Sequence, residues 1–123
     1  MNGNNILVID DSNTNLVLLE SLLEKDGYRV KSVLSAKEGL AYIDKEIPDL
    51  IYLDFLMPDI DGIEFIRLLK KKESGKDIPI VMLSAISDKE IIRQCLALGV
   101  IDYITKPINI HKISELTERL LSN

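Results

Sequence analysis

The sequence contains a single cysteine, Cys95, and no long apolar run. One cysteine cannot form an internal disulfide and leaves no cysteine cluster for zinc, so we expect Cys95 to be a small buried apolar residue. Apolar runs such as residues 6–9 fall far short of the roughly 20 residues that a membrane-spanning helix needs. The polar, uncharged start MNGNN does not resemble a secretory signal, which favours a cytoplasmic protein without membrane contact.

Positive charge is also in short supply. Lysine and arginine total 15 against 20 aspartates and glutamates, for a net charge of −5. A net negative domain repels phosphate backbones, so direct binding to nucleic acid is disfavoured. The length of 123 residues predicts one domain over residues 1–123, with a core of its own.

Short apolar runs recur at regular intervals and predict five strands. Three of them are continuously apolar, which is typical of parallel strands covered on both faces. The runs lie at residues 6–9, 50–53, 80–83 and 101–104, with a weaker one at 29–33.

The segments between these runs carry helix signals. Leucines at a helical period from Leu16 to Leu23 precede Gly27, a residue that commonly ends helices. Ser35 and Ser87 each stand three residues before a glutamate, which predicts a capping box, and the second of these helices should stop at Gly99. Residues 63–72 and a helix capped by Asn109 complete the series.

Strictly alternating strands and helices predict a doubly wound α/β fold. We expect a five-stranded parallel sheet in the order 2-1-3-4-5 with five helices, a flavodoxin-like architecture. In such sheets the site lies beyond the carboxyl ends of the strands, where the strand order reverses, here between strands 1 and 3.

Polar residues follow four of the five predicted strands at that edge: Asp10 and Asp11, Asp54, Ser84, and Lys106. Two carboxylates about 4 Å apart repel by roughly 4 kcal/mol at an effective dielectric of about 20, a large share of a domain's stability of about 5 to 15 kcal/mol. A hard cation relieves this repulsion, and ligands that are all oxygen suit Mg²⁺ or Mn²⁺ rather than zinc.

A cation beside a lysine and a hydroxyl is suited to binding a phosphoryl group. Lys106 and the metal can share the charge of the phosphoryl oxygens, and Ser84 can donate a hydrogen bond. An aspartate can itself be the nucleophile and form an acyl phosphate. Asp54 stands alone at the end of a central strand and is the best candidate.

On these residues the sequence resembles the receiver domains of bacterial response regulators, including single-domain chemotaxis regulators, along nearly all of its length. The resemblance is carried by Asp10 with Asp11, by DFLMPDIDG from Asp54, by Ser84 with its neighbouring alanine, and by YITKP at 103–107. It implies a phosphorylation-dependent switch of a two-component or phosphorelay system, not an enzyme with an external substrate.

The resemblance also implies individual roles. Asp54 would be the phosphoacceptor, and it would bind Mg²⁺ with Asp11 and the backbone carbonyl of Leu56, while Asp10 acts through water. Ser84 and Lys106 would hold the phosphoryl oxygens. Tyr103 would be the switch aromatic that turns inward, and the peptide bond between Lys106 and Pro107 would be cis.

The same resemblance implies the partners. The phosphoryl group would come from a sensor histidine kinase or a histidine phosphotransfer protein, because His111, the one histidine, is far in sequence from the acids. Output would pass to a partner, or to a second copy, through the face of helix 4, strand 5 and helix 5. Many relatives carry polar residues at the positions of Leu56 and Ile86, so we hypothesise that these apolar side chains slow hydrolysis.

Three alternatives stay open. A magnesium-dependent phosphohydrolase with an aspartyl intermediate would need a second aspartate where Ser12 stands, and the Asp59-x-Asp61 pair falls in a loop. A flavin-binding protein would need a Ser/Thr-rich loop after strand 1, where the two aspartates would repel a phosphate. An inactive receiver retained for protein interaction is the third.

Overall fold

A computed structural model describes residues 4–122, so residues 1–3 and 123 of the predicted domain lie outside the described residues. Within that range five strands alternate with five helices: β1 Asn5–Ile9, α1 Asn13–Lys25, β2 Arg29–Val33, α2 Ala36–Ile43, β3 Leu50–Leu53, α3 Gly62–Lys70, β4 Ile80–Ser84, α4 Lys89–Ala97, β5 Asp102–Thr105 and α5 Ile110–Leu121. All neighbouring strands are parallel, in the order β2-β1-β3-β4-β5. The predicted fold is confirmed.

The continuously apolar runs form the centre of the sheet. Every residue of β1, β3 and β4 is buried, whereas the edge strands β2 and β5 are partly exposed. Alternate residues of β1 enter opposite cores. Leu7 and Ile9 pack towards α2, α3 and α4, where Cys95 is buried as expected, and Ile6 and Val8 pack towards α1 and α5.

The helix ends agree with the sequence signals at most positions. The Ser35 hydroxyl accepts from the amide of Glu38, and the Asn109 side chain caps α5 in the same way. Glu38 itself accepts from the amide of Leu34 rather than from that of Ser35. Gly27 and Gly99 follow their helices with φ of +100° and +102°, a region that glycine tolerates best.

Several predicted boundaries were wrong by one or two residues. The cap of α4 is Asp88 and not Ser87, because the Asp88 carboxylate accepts from the amides of both Glu90 and Ile91. Helix α3 begins at Gly62, one residue before the predicted start, because Asp61 caps it. It ends at Lys70, two residues before the predicted end. Strand β5 is shifted by one residue because its register pairs residues 102–105 with β4.

A buried tyrosine joins the sheet to α5. Tyr52 in β3 is buried, and its hydroxyl is hydrogen-bonded to that of Thr117. Thr117 donates its own hydrogen to the Ile113 carbonyl at 2.7 Å, so Tyr52 is the donor between the two hydroxyls. Burial raises the pKa of Tyr52 to about 12.

Among residues 4–122, no helix combines the length and the apolar character that crossing a bilayer requires.

Candidate functional site

The carboxyl ends of β1 and β3 bring three carboxylates together. Asp10 directly follows β1 and is buried, Asp11 beside it is exposed, and Asp54 directly follows β3 and is buried. The amide of Asp54 donates to the carbonyl of Ile9 at 2.9 Å, which extends the pairing of the two strands up to the acids. Oxygen atoms of the three carboxylates lie within 4.8 Å of one another. The convergence predicted at the reversal of strand order is confirmed.

A lysine that directly follows β5 reaches across the sheet to two of these acids. The Nζ atom of Lys106 lies 2.8 Å from Oδ2 of Asp10 and 3.3 Å from Oδ2 of Asp54. Its backbone amide donates to the carbonyl of Ser84 at 2.9 Å, and its peptide bond to Pro107 is cis, as expected. One partly buried ammonium is thus shared between two buried carboxylates, which leaves an excess of negative charge.

The pKa directions reflect this sharing. The pKa of Asp54 is raised, chiefly because the carboxyl group is buried. The negative charge of Asp10 raises this pKa further, while the positive charge of Lys106 and the hydrogen bond from Ser84 lower it by less than the total rise. Burial alone would lower the pKa of Lys106, but the hydrogen bond to Asp10 and the two negative charges raise it above its ordinary value. Lys106 therefore stays charged at neutral pH, while the negative charge of Asp54 is only partly compensated.

Further contacts orient Asp10. Its Oδ1 accepts from the amide of Ser12 at 2.9 Å, and the side-chain amide of Asn15 lies 3.4 Å from Oδ2. Ser12 is also the N-cap of α1 and accepts from the amide of Asn15. Sequence reasoning did not find Asn15, although its place in the first turn of the helix that follows the acids was a usable signal.

Ser84 and Tyr103 are both hydrogen-bonded to the backbone of Ile86, in the loop between β4 and α4. The buried Ser84 hydroxyl accepts from the amide of Ile86 at 3.2 Å, which leaves its own hydrogen for another acceptor. The Tyr103 hydroxyl donates to the carbonyl of the same Ile86 at 2.7 Å. Burial raises the pKa of Tyr103, so the phenol is neutral and able to donate. Tyr103, the candidate switch residue, is thus linked through Ile86 to Ser84, the candidate hydrogen-bond donor to the phosphoryl group.

Leu56 lies two residues beyond Asp54 in the β3–α3 loop, which we define as residues 54–61. Its side chain is exposed, and the role of its backbone carbonyl as a metal ligand stays a prediction. The loop ends where the amide of Gly62 donates to the carbonyl of Phe55 at 2.7 Å. His111 is exposed in the first turn of α5, as expected for a residue outside the site.

The two remaining aspartates of the β3–α3 loop act as helix caps. Asp61 accepts from the amide of Glu64 and caps α3. Asp59 accepts from the amides of Ala36 and Lys37, at the start of α2. Sequence reasoning considered this pair only as a misplaced phosphohydrolase motif and missed the contact with α2, because that contact spans more than 20 residues.

Comparison with known proteins agrees with this geometry. A family model described as the response regulator receiver domain matches residues 6–118. The response regulator PleD of Caulobacter vibrioides is 36% identical over 104 residues, which are 85% of this chain and 23% of the length of PleD. The chain therefore spans less than a quarter of that relative.

Two solved structures have the same fold. The chemotaxis protein CheY4 of Vibrio cholerae has a TM-score of 0.90 at 28% identity, covering 97% of this chain and 99% of its own. The receiver domain of the sensor histidine kinase PA1611 of Pseudomonas aeruginosa has a TM-score of 0.88 at 27% identity, and the match covers 98% of this chain and 99% of that receiver domain. The latter structure has a magnesium ion coordinated in its active-site cleft.

Proposed function

The chain belongs to the response regulator receiver domain family, and on that premise we propose that it is a phosphorylation-dependent switch. It accepts a phosphoryl group on Asp54 from a sensor histidine kinase or a histidine phosphotransfer protein, and it relays the signal by a conformational change. We propose that residues 1–123 act as one receiver domain in a cytoplasmic two-component or phosphorelay system, without direct contact to nucleic acid or membrane.

One observation carries the proposal: three carboxylates converge within 4.8 Å, and one lysine is hydrogen-bonded to two of them. Such an arrangement is poorly compensated by itself and becomes favourable when a divalent cation or a phosphoryl group engages it. A purely structural ion pair would need one carboxylate for the lysine, not three.

The donor set fits a magnesium ion. Asp11 and Asp54 would hold it with the carbonyl of Leu56, and Asp10 would contribute through water; Mn²⁺ suits the same oxygens. Mg²⁺ when bound would offset the charge that accumulates on the phosphoryl oxygens during transfer. The magnesium ion in the related PA1611 receiver domain supports this assignment.

The transfer itself is assigned to residues of this chain. A carboxylate oxygen of Asp54 attacks the phosphorus, the bond between phosphorus and the donor's imidazole nitrogen breaks, and an acyl phosphate forms. Lys106 exchanges its contact with the Asp54 carboxylate for one with a phosphoryl oxygen. Ser84, whose hydroxyl accepts from the amide of Ile86 and can donate its hydrogen, binds a second oxygen.

The conformational relay runs through Ser84, Ile86 and Tyr103. When Ser84 binds the phosphoryl group, the Ile86 backbone that it contacts moves with it, and the Tyr103 hydroxyl responds because it is bonded to the same residue. Shifting a two-state domain from 1:99 to 99:1 needs about 5.5 kcal/mol, so Lys106, Ser84 and the metal must act together. The output surface is the face of α4, β5 and α5, which would bind a partner or a second copy.

The phosphohydrolase alternative is less well supported. Its aspartate pair, Asp59 and Asp61, caps two helices instead of facing the acids. We therefore propose that the chain turns over only its own acyl phosphate.

The test is incubation of the protein with acetyl phosphate and Mg²⁺, followed by intact mass and by mapping of the modified residue. The wild type should gain one phosphoryl group, Asp54→Asn should gain none, and Asp77→Asn, an exposed carboxylate at the opposite end of the sheet, should match the wild type. Equal labelling of Asp54→Asn at another residue would contradict the assignment. Turnover of a generic phosphomonoester would favour the phosphohydrolase.

A further inference from the structure

The β3–α3 loop carries both the candidate phosphoacceptor and the candidate backbone ligand, yet its middle has little packing of its own. Pro58 and Asp59 are exposed, while Met57 and Ile60 only border the core. The loop is closed at its end by the hydrogen bond between Gly62 and Phe55. A site that needs a backbone carbonyl at a defined position requires a further restraint in such a loop.

Asp59 supplies a restraint from outside the loop. Its carboxylate accepts from the amide of Lys37 at 2.8 Å and from that of Ala36 at 3.3 Å, across 22 and 23 residues. Although slight burial acts to raise the pKa of Asp59, the backbone amides that it accepts from lower it, so the group is ionised at neutral pH. A negative charge also interacts favourably with the amino end of a helix.

The start of α2 has a second, purely local cap. The Ser35 hydroxyl accepts from the amide of Glu38 at 3.2 Å. The three amides of the first turn are thus divided between a neighbour in sequence and a residue from the β3–α3 loop. Ser35 and Asp59 perform the same capping task, but only Asp59 connects the helix to the loop.

The first turns of α2 are packed tightly against the end of β1, next to the site. Ala36 is fully buried, and Gly39 lies so close to Ile9 that an added Cβ would be 2.5 Å from its Cδ1 atom. Ile9 is the last residue of β1, immediately before Asp10, and its carbonyl accepts from the amide of Asp54. The loop is therefore tethered to a helix that packs against the same strand end that carries the acids.

We propose that Asp59 is a positioning residue, which holds the β3–α3 loop against α2 and so sets the places of Leu56 and Asp54. The inference rests on the proposed function for what is positioned, namely a metal ligand and a phosphoacceptor. The restraint on the loop itself does not depend on that function. Asp59 is not one of the groups that we assign to the metal or to the phosphoryl group.

The test compares Asp59→Ala with the matched control Ser35→Ala. Both variants remove a cap from α2, and both should lower the melting temperature by about 3 to 6 °C. Only Asp59→Ala should weaken Mg²⁺ binding measured by calorimetry, by about fivefold or more, and slow labelling by acetyl phosphate. Asp59→Asn keeps one acceptor oxygen and should recover part of the loss.

Hydrogen exchange supplies a readout without metal or phosphoryl donor. The amide of Gly62 should exchange about tenfold faster in Asp59→Ala than in the wild type, and at the wild-type rate in Ser35→Ala. Equal Mg²⁺ affinity, labelling and exchange in the two variants would overturn the proposal and reduce Asp59 to a helix cap. A wild type that binds no Mg²⁺ and takes no label would overturn the proposed function, and the Gly62 exchange rates would still decide whether Asp59 restrains the loop.

Discussion

Removal of the Asp54 charge should stabilise the metal-free protein. The Lys106 ammonium lies 3.3 Å from the Asp54 carboxylate, an attraction of about 5 kcal/mol at an effective dielectric of about 20. Asp10 lies within 4.8 Å and repels it by about 3.5 kcal/mol on the same scale, and Asp11, which is exposed and screened by water, adds less. The pairwise terms nearly cancel, so the desolvation of a buried carboxylate decides the sign.

We expect Asp54→Asn to raise the free energy of unfolding by about 1 to 2 kcal/mol in EDTA at pH 7, because the amide needs no counter-charge and can still accept from Lys106. For a domain of this size the melting temperature should rise by about 3 to 10 °C in circular dichroism. Asp77→Asn, on the surface at the far end of the sheet, should shift it little.

Added Mg²⁺ and a lower pH should each reduce the difference in the free energy of unfolding between the wild type and Asp54→Asn. Mg²⁺ at 100 times its dissociation constant should stabilise the wild type by about 2.7 kcal/mol and Asp54→Asn much less. Because the pKa of Asp54 is raised in the folded state, its destabilising effect is absent below the unfolded pKa and develops as pH rises through the folded pKa. The two proteins should therefore converge in acid. A wild type as stable as Asp54→Asn in EDTA at neutral pH would refute the reasoning.

Two further measurements address other parts of the molecule. Leu56→Asn combined with Ile86→Glu should speed loss of the phosphoryl group by roughly tenfold or more, since polar side chains there can position water; an unchanged decay rate in phosphoprotein assays would reject the hypothesis. Tyr52, with its pKa raised to about 12, stabilises the fold as a neutral phenol at neutral pH, and this contribution should fall by roughly 3 kcal/mol as pH rises from about 10 through 12. In urea unfolding, the free energy of unfolding of Tyr52→Phe should not show this fall at high pH. A difference in the free energy of unfolding between the wild type and Tyr52→Phe that stays constant with pH would contradict the prediction.

Local signals were sufficient wherever one segment decides its own structure. The apolar runs located β1, β3 and β4 because strands buried on both faces must be apolar throughout. Adjacent cap formers were the exception: Ser87 and Asp88 both suit an N-cap, and which backbone takes the extended conformation depends on how the loop after β4 is held.

Contacts between distant segments could not be predicted in the same way. Asp59 looks like an ordinary loop acid in sequence, and its bonds to α2 exist because β1 places the start of α2 beside the end of β3. Asn15 near Asp10 was missed for a related reason, since its side-chain direction depends on where α1 begins.

The sequence by itself determined the order of the elements, the fold class and the set of polar residues at the strand ends, because periodicity and caps are local properties. Only the tertiary structure decided that one ammonium is shared by Asp10 and Asp54, 96 and 52 residues away, and that Ser84 and Tyr103 meet at Ile86. Those distances depend on strand order and register, which place residues from separate strands side by side at one edge of the sheet.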